Sequence, residues 1–114
     1  MIETDYCKLY YPAKWEANLQ TEIKDEDGYV VEFYGAVEGK DKQPLFNIVF
    51  DGEADFVIGT IDKDGEAVEV GCKFMEPAVE EWKTEEADTI YAMQEDMNYL
   101  FGMLEREAGF TPAE

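Results

Sequence analysis

The sequence predicts an α+β domain: a twisted, mostly antiparallel sheet of five to seven strands with one long C-terminal helix packed on one face. Three observations carry this reading. Apolar and polar residues alternate with period two in successive segments from residue 6 to about 75. Turns rich in Asp and Gly separate those segments. A capped amphipathic run then occupies residues 84 to 108. At 114 residues the chain can bury one hydrophobic core and is too short for two domains.

The elements follow in order. Cys7, Leu9 and Tyr11 mark a first strand ending at Pro12. From Ala17 to Lys24 the odd positions are apolar or Thr and the even ones polar. Tyr29, Val31, Phe33 and Val37 share a face of the next strand, and Phe46, Ile48 and Phe50 a face of the one after. Phe56 and Ile58 alternate again, although Val57 and Ile61 make that segment apolar on both sides. Val68, Val70, Cys72 and Phe74 alternate with Glu69, Gly71 and Lys73.

Asp51-Gly52 has the composition of a two-residue type I′ hairpin turn. Asp25-Glu26-Asp27-Gly28 and Asp62-Lys63-Asp64-Gly65 suit slightly longer loops with a left-handed Gly, and residues 39–44 form a polar loop. Strands joined in this way make a meander with one oily face. The helix covers that face. Thr84 is read as its N-cap, with Glu85, Glu86 and Asp88 at the positive end of the helix dipole. Ile90, Met93, Met97, Leu100 and Leu104 form its apolar stripe. Gly102 costs ~1 kcal/mol relative to Ala and is read as letting the helix approach the sheet. Gly109 suits the left-handed position after the helix, with Phe110 folding back and Pro112 barring continuation.

Composition narrows function mainly by exclusion. The chain carries 28 Asp plus Glu against 9 Lys plus Arg, a net charge of −19. Nucleic acid needs basic residues to displace its counterions, so no nucleic-acid partner is expected. Anionic membrane surfaces are disfavoured for the same reason. No apolar run approaches the ~18 residues of a span, so no membrane insertion by this domain is expected. No charged-then-apolar leader is visible from Met1 onward. The chain has no His and no Ser, which removes Ser-His-Asp and Cys-His nucleophiles and every imidazole metal site. Arg106 is the single arginine, so no phosphate-clamping pair exists. The expectation is no enzyme and no cofactor, and a carboxylate-based hydrolase is the least favoured reading.

Tyr10-Tyr11-Pro12-Ala13-Lys14-Trp15 carries a resemblance. Two aromatics ending a first strand, then Pro-x-x-Trp, then a meander, resemble the opening of PsbP-like and DcrB-like domains. The run from Trp82 through Glu95 to Leu100 is similar to the tail of small exported domains of anaerobic Gram-positive bacteria. The resemblance implies a PsbP-like sandwich and an exported, lipoprotein-type setting. It brings no shared catalytic residues.

Individual residues offer two readings each. Cys7 and Cys72 fall on inward-facing strand positions, either as buried free thiols or as a disulfide stapling first strand to last. Such a bridge would stabilise by roughly 4 kcal/mol on the chain-entropy model and would fit export. Asp62, Asp64 and Glu66 have a fragment of a calcium-loop spacing, but Lys73 stands at position 12, where the bidentate Glu belongs. A hairpin turn is favoured there, with weak calcium binding as the alternative. Met93, Met97 and Met103 read as core filler. Tyr91, Asn98 and Phe101 form a second helix stripe, buried at the sheet margin or exposed as a partner face.

The leading expectation is a non-enzymatic binding or structural module of the bacterial cell surface. It would act as a monomer or weak homodimer on a protein or cell-surface partner. The alternative is an intracellular acidic inhibitor, an immunity protein or nucleic-acid mimic, that captures a basic partner.

Overall fold

Alternation along the middle of the chain becomes a six-stranded antiparallel sheet in the computed structural model, which describes residues 1–25 and 28–113. A separate small sheet pairs β1 (Ile2–Glu3) with β2 (Lys8–Leu9), and a 3-10 turn at Ala13–Trp15 follows. The main sheet contains β3 (Leu19–Asp25), β4 (Tyr29–Gly35), β5 (Gln43–Phe50), β6 (Phe56–Lys63), β7 (Glu66–Phe74) and β8 (Phe110–Pro112). Between β7 and β8 lie α1 (Thr84–Glu95) and α2 (Met97–Leu104). The α+β class and the mostly antiparallel sheet are therefore as the sequence predicts.

The strand order is β3-β4-β5-β7-β6-β8, which is not a meander. Strands β5 and β6 are each antiparallel to β7, so they run parallel to one another with β7 between them. Residues 51–55 carry the chain across β7. The Asp51 amide donates to Glu69 O at 2.9 Å, and the Asp55 amide to Cys72 O at 2.9 Å. A Cβ at Gly71 would lie 2.5 Å from the Ala54 Cβ, so the crossing needs glycine beneath it. Asp51 has φ of 57°, but Asp51-Gly52 closes no hairpin.

The type I′ turn sits elsewhere. Lys63 pairs with Glu66 across Asp64-Gly65, whose φ values are 53° and 88°. The expected loop between Asp25 and Gly28 lies outside the described residues at Glu26 and Asp27; Gly28 itself has φ of 106°. The first predicted strand does not join the main sheet, because Leu9 and Lys8 pair with Ile2 and Glu3 instead. Thr4 closes that ribbon, its Oγ1 donating to Cys7 O at 2.7 Å and accepting from the Cys7 amide at 2.9 Å.

The core lies between the sheet and the helices. Val31, Phe33, Phe46, Ile48, Phe50, Val70 and Cys72 are fully buried from the sheet side. Ile90, Met93, Leu100 and Leu104 meet them from the helices, as the predicted stripe requires. Phe33 stacks on Phe46 at 4.6 Å, and Trp15 tilts against Phe46 at 6.2 Å. A bulge between Val57 and Gly59 shifts the phase of β6 and brings Ile61 to the core side.

The helical region departs from expectation in three places. Lys83, not Thr84, occupies the cap position, and its amide donates to Glu86 Oε1 at 3.3 Å. Asp96 (φ −84°, ψ 2°) divides the helix. Asp is a weak helix former, and Lys14 Nζ holds its carboxylate at 2.7 Å. Gly102 faces open space, and a Cβ there would have no neighbour within 4 Å. Close approach occurs at Gly35, where a Cβ would stand 2.6 Å from Ile90 Cδ1. Gly109 adopts the expected left-handed φ of 82°, and Phe110 folds back as expected, there beginning the edge strand β8 opposite Ile61.

Candidate functional site

One margin of the core is left open where β6, β7 and the helices meet. Phe56 pairs with Cys72 across the sheet, and Phe74 pairs with Phe46, so both rings project on the core face. Both stand beyond the helical cover, at 38% and 47% exposure. Their centroids are 5.4 Å apart, and Phe101 from α2 meets Phe56 edge-on at 5.9 Å. Beside them a cleft of about 420 Å³ is lined by Phe74, Met75, Tyr91, Gln94, Glu95 and Met97.

Hydrogen bonds fix this margin from beneath. Gln94 Nε2 donates to Leu45 O and to Met75 O, each at 3.0 Å, tying α1 to the end of the sheet. Asp55 Oδ2 accepts the Phe74 amide at 2.8 Å. The aromatic rings are therefore presented from anchored backbone. Carboxylates border them: Glu76 follows Met75 and Glu95 lines the cleft, both exposed, while Asp55 lines a separate cavity with Lys73. Lys73 alternates with Phe74 and so belongs to the opposite face of β7.

The predicted partner stripe is brought together in part. Tyr91 lines the cleft at 44% exposure, and Phe101 is half-buried against Phe56. Asn98 is exposed and lies outside the cleft lining. Phe56 and Phe74 read from sequence as ordinary core. Alternation gives their face correctly but carries no information on how far the helices extend over it.

The remaining predicted residues are separated. Cys7 and Cys72 are both free thiols. Cys7 belongs to the β1–β2 ribbon and Cys72 to the central strand β7, so the first strand does not run beside the last as a staple requires. Burial pushes the Cys7 thiol up to about 11 and the Cys72 thiol up to about 12, so neither is a thiolate nucleophile at neutral pH. Asp62 Oδ1 accepts the Gly65 amide at 3.0 Å, and Asp64 holds the turn position. Asp62, Asp64 and Glu66 thus build a hairpin, and the described residues contain no group of three metal-ligating side chains.

What this margin can do chemically is bind. It offers aromatic surface, an adjoining cleft and fixed negative charge. No family model, curated protein or solved structure matches the chain.

Proposed function

We propose that this protein is a non-enzymatic binding module that captures a basic protein segment on the aromatic margin of Phe56, Phe74, Tyr91 and Phe101. The supporting observation is the half-exposed aromatic run bordered by Glu76 and Glu95 in a chain of net charge −19. Aromatic side chains supply contact area at low entropic cost, and the carboxylates supply orientation and encounter rate. A fitting partner presents an apolar anchor flanked by Lys or Arg. The exported, cell-surface setting rests on the PsbP-like resemblance alone, because two free thiols lend it no disulfide.

A synthetic Lys/Leu amphipathic peptide and its Glu/Leu counterpart test this by NMR titration. The basic peptide is expected to shift the amides of Phe56, Phe74, Tyr91 and Phe101, with the acidic peptide silent. Phe74→Ser should weaken binding by about tenfold. Shifts scattered over the whole surface, unaffected by that substitution, would reduce the interaction to nonspecific charge attraction and remove the reading.

A further inference from the structure

The opposite end of the sheet carries a second surface, independent of the aromatic margin. Strand β3 is the outermost strand there, with β4 as its strand partner. Its seven residues, Leu19–Asp25, hold no proline, and their register with β4 is unbroken. An edge of this kind presents a row of free amides and carbonyls that pair with another strand unless something blunts them.

Side chains on β3 are placed unequally. Ile23 pairs with Val31, which is fully buried, so Ile23 faces the core side. It is nevertheless 44% exposed, since α1 packs on β4 and β5 and does not reach the edge strand. On the other face stand Glu22 and Lys24. Glu22 Oε2 is held at 2.7 Å by Lys42 Nζ, and Lys24 Nζ lies 3.9 Å from Glu32 Oε1. Both charges are thus paired on their inner side, against Lys42 and against Glu32 of β4.

We infer that β3 pairs antiparallel with β3 of a second copy of this chain, about a two-fold axis through Ile23. In that register Ile23 meets Ile23, which covers the exposed apolar side chain of both copies. Glu22 of each copy stands opposite Lys24 of the other, giving two ion pairs. Thr21 stands opposite Asp25, a hydroxyl donor against a carboxylate acceptor. The charge row then alternates across the seam: Glu32 and Lys24 of one copy, Glu22 and Lys42 of its mate. Other centres do worse. An axis on Glu22 sets that carboxylate against itself, and one on Lys24 sets the ammonium groups together. An axis on Thr21 sets Leu19 against Ile23 but leaves Glu22 facing Gln20, with no ion pair. A one-residue slip between the strands would turn the apolar side chains to the wrong face.

The paired strands are short, so the dimer is a weak one, well under the area of obligate interfaces. The two bodies also repel through their net charge. Association is therefore read at about 0.3 M salt, where the screening length is roughly 5–6 Å and only contact pairs survive.

Sedimentation equilibrium over a wide concentration range tests the register directly. The unmodified chain should show a concentration-dependent monomer–dimer equilibrium. Glu22→Lys and Lys24→Glu singly should each lower the association constant about tenfold, because each places like charges opposite one another twice. The double variant should recover most of that loss, whereas a Thr21-centred register would be indifferent to all three. Ile23→Lys should abolish the dimer. Circular dichroism melts of every variant separate lost pairing from lost folding. A chain that stays monomeric at all concentrations, or a double variant that fails to recover while folded, overturns the proposal.

Discussion

The two edges of the main sheet are built on different plans. At one end β8 closes the sheet with three residues, Phe110–Pro112, laid along β6. It packs so closely over Gly59 that a Cβ there would collide with the Thr111 carbonyl and come within 2.7 Å of the Phe110 ring. Pro112 ends the strand with a residue that offers no amide. At the other end β3 presents seven residues and an exposed Ile23, with no such cover among the described residues. A short, proline-ended strand is a common way to blunt an edge, and a long regular one invites pairing. Protection at one end and openness at the other locate where this sheet can grow.

The largest way to break that contrast is to unseat the closed edge. Gly59→Val forces a branched side chain into the β8 backbone and should destabilise the fold by roughly 3 kcal/mol, read as a lower urea midpoint. It should also expose β6 as a second open edge, so the purified variant should form larger species than dimers. Milder damage comes from Phe110→Ala, which removes a half-buried ring packed against the core. A loss of about 1–2 kcal/mol is expected, with faster hydrogen exchange confined to β6 and β8.

Alkali probes the interior between the edges. In the fold Cys72 keeps its proton up to about 12, while an unfolded thiol releases it near 9.0. Burial is the main cause, with the Asp55 charge adding to it. Between those values the folded state holds the extra proton, so stability falls as pH rises through the window. Tyr34 acts in the same direction, raised to about 12 by burial and by the carboxylates of Glu32 and Glu22. Cys72→Val should flatten the decline in urea midpoint above pH 9, and an unchanged slope would assign it to Tyr34 and other groups. The smallest effect on stability belongs to the open edge itself. Ile23→Lys should change the urea midpoint by no more than the equivalent of about 0.5 kcal/mol while removing self-association.

Local order is legible in the sequence, and long-range order is not. Alternation places Tyr29, Val31, Phe33, Phe46, Ile48 and Phe50 on the core face, where they are buried. The helix stripe from Ile90 to Leu104 is legible for the same reason, since period and burial share one cause. Strand order is not, because a meander and the β5-β7-β6 arrangement have the same alternation and the same short connections. Two residues do carry the signal. Gly59 and Gly71 stand inside predicted strands, and an interior strand glycine marks a close backbone approach. Each of them has a close backbone neighbour, the edge strand β8 beside Gly59 and the crossing residue Ala54 over Gly71. At the aromatic margin Tyr91 and Phe101 are legible from helical spacing. Phe56 and Phe74 are not, because their exposure depends on how far the helices cover the sheet and not on their own strands.

The passage of residues 51–55 over β7 also separates a local pairing from a distant one. The β6–β7 hairpin closes through Asp64-Gly65, a turn of the kind that forms in about 1–10 μs. Its partner seam joins Phe50 to Val70 and Phe46 to Phe74, residues far apart along the chain, and so carries a larger closure entropy. That seam brings Phe46, Ile48 and Phe50 alongside Val70 and Cys72. Without that seam the apolar side chains of β5 would stand on a strand with one free flank, the kind of exposed edge that invites misassembly.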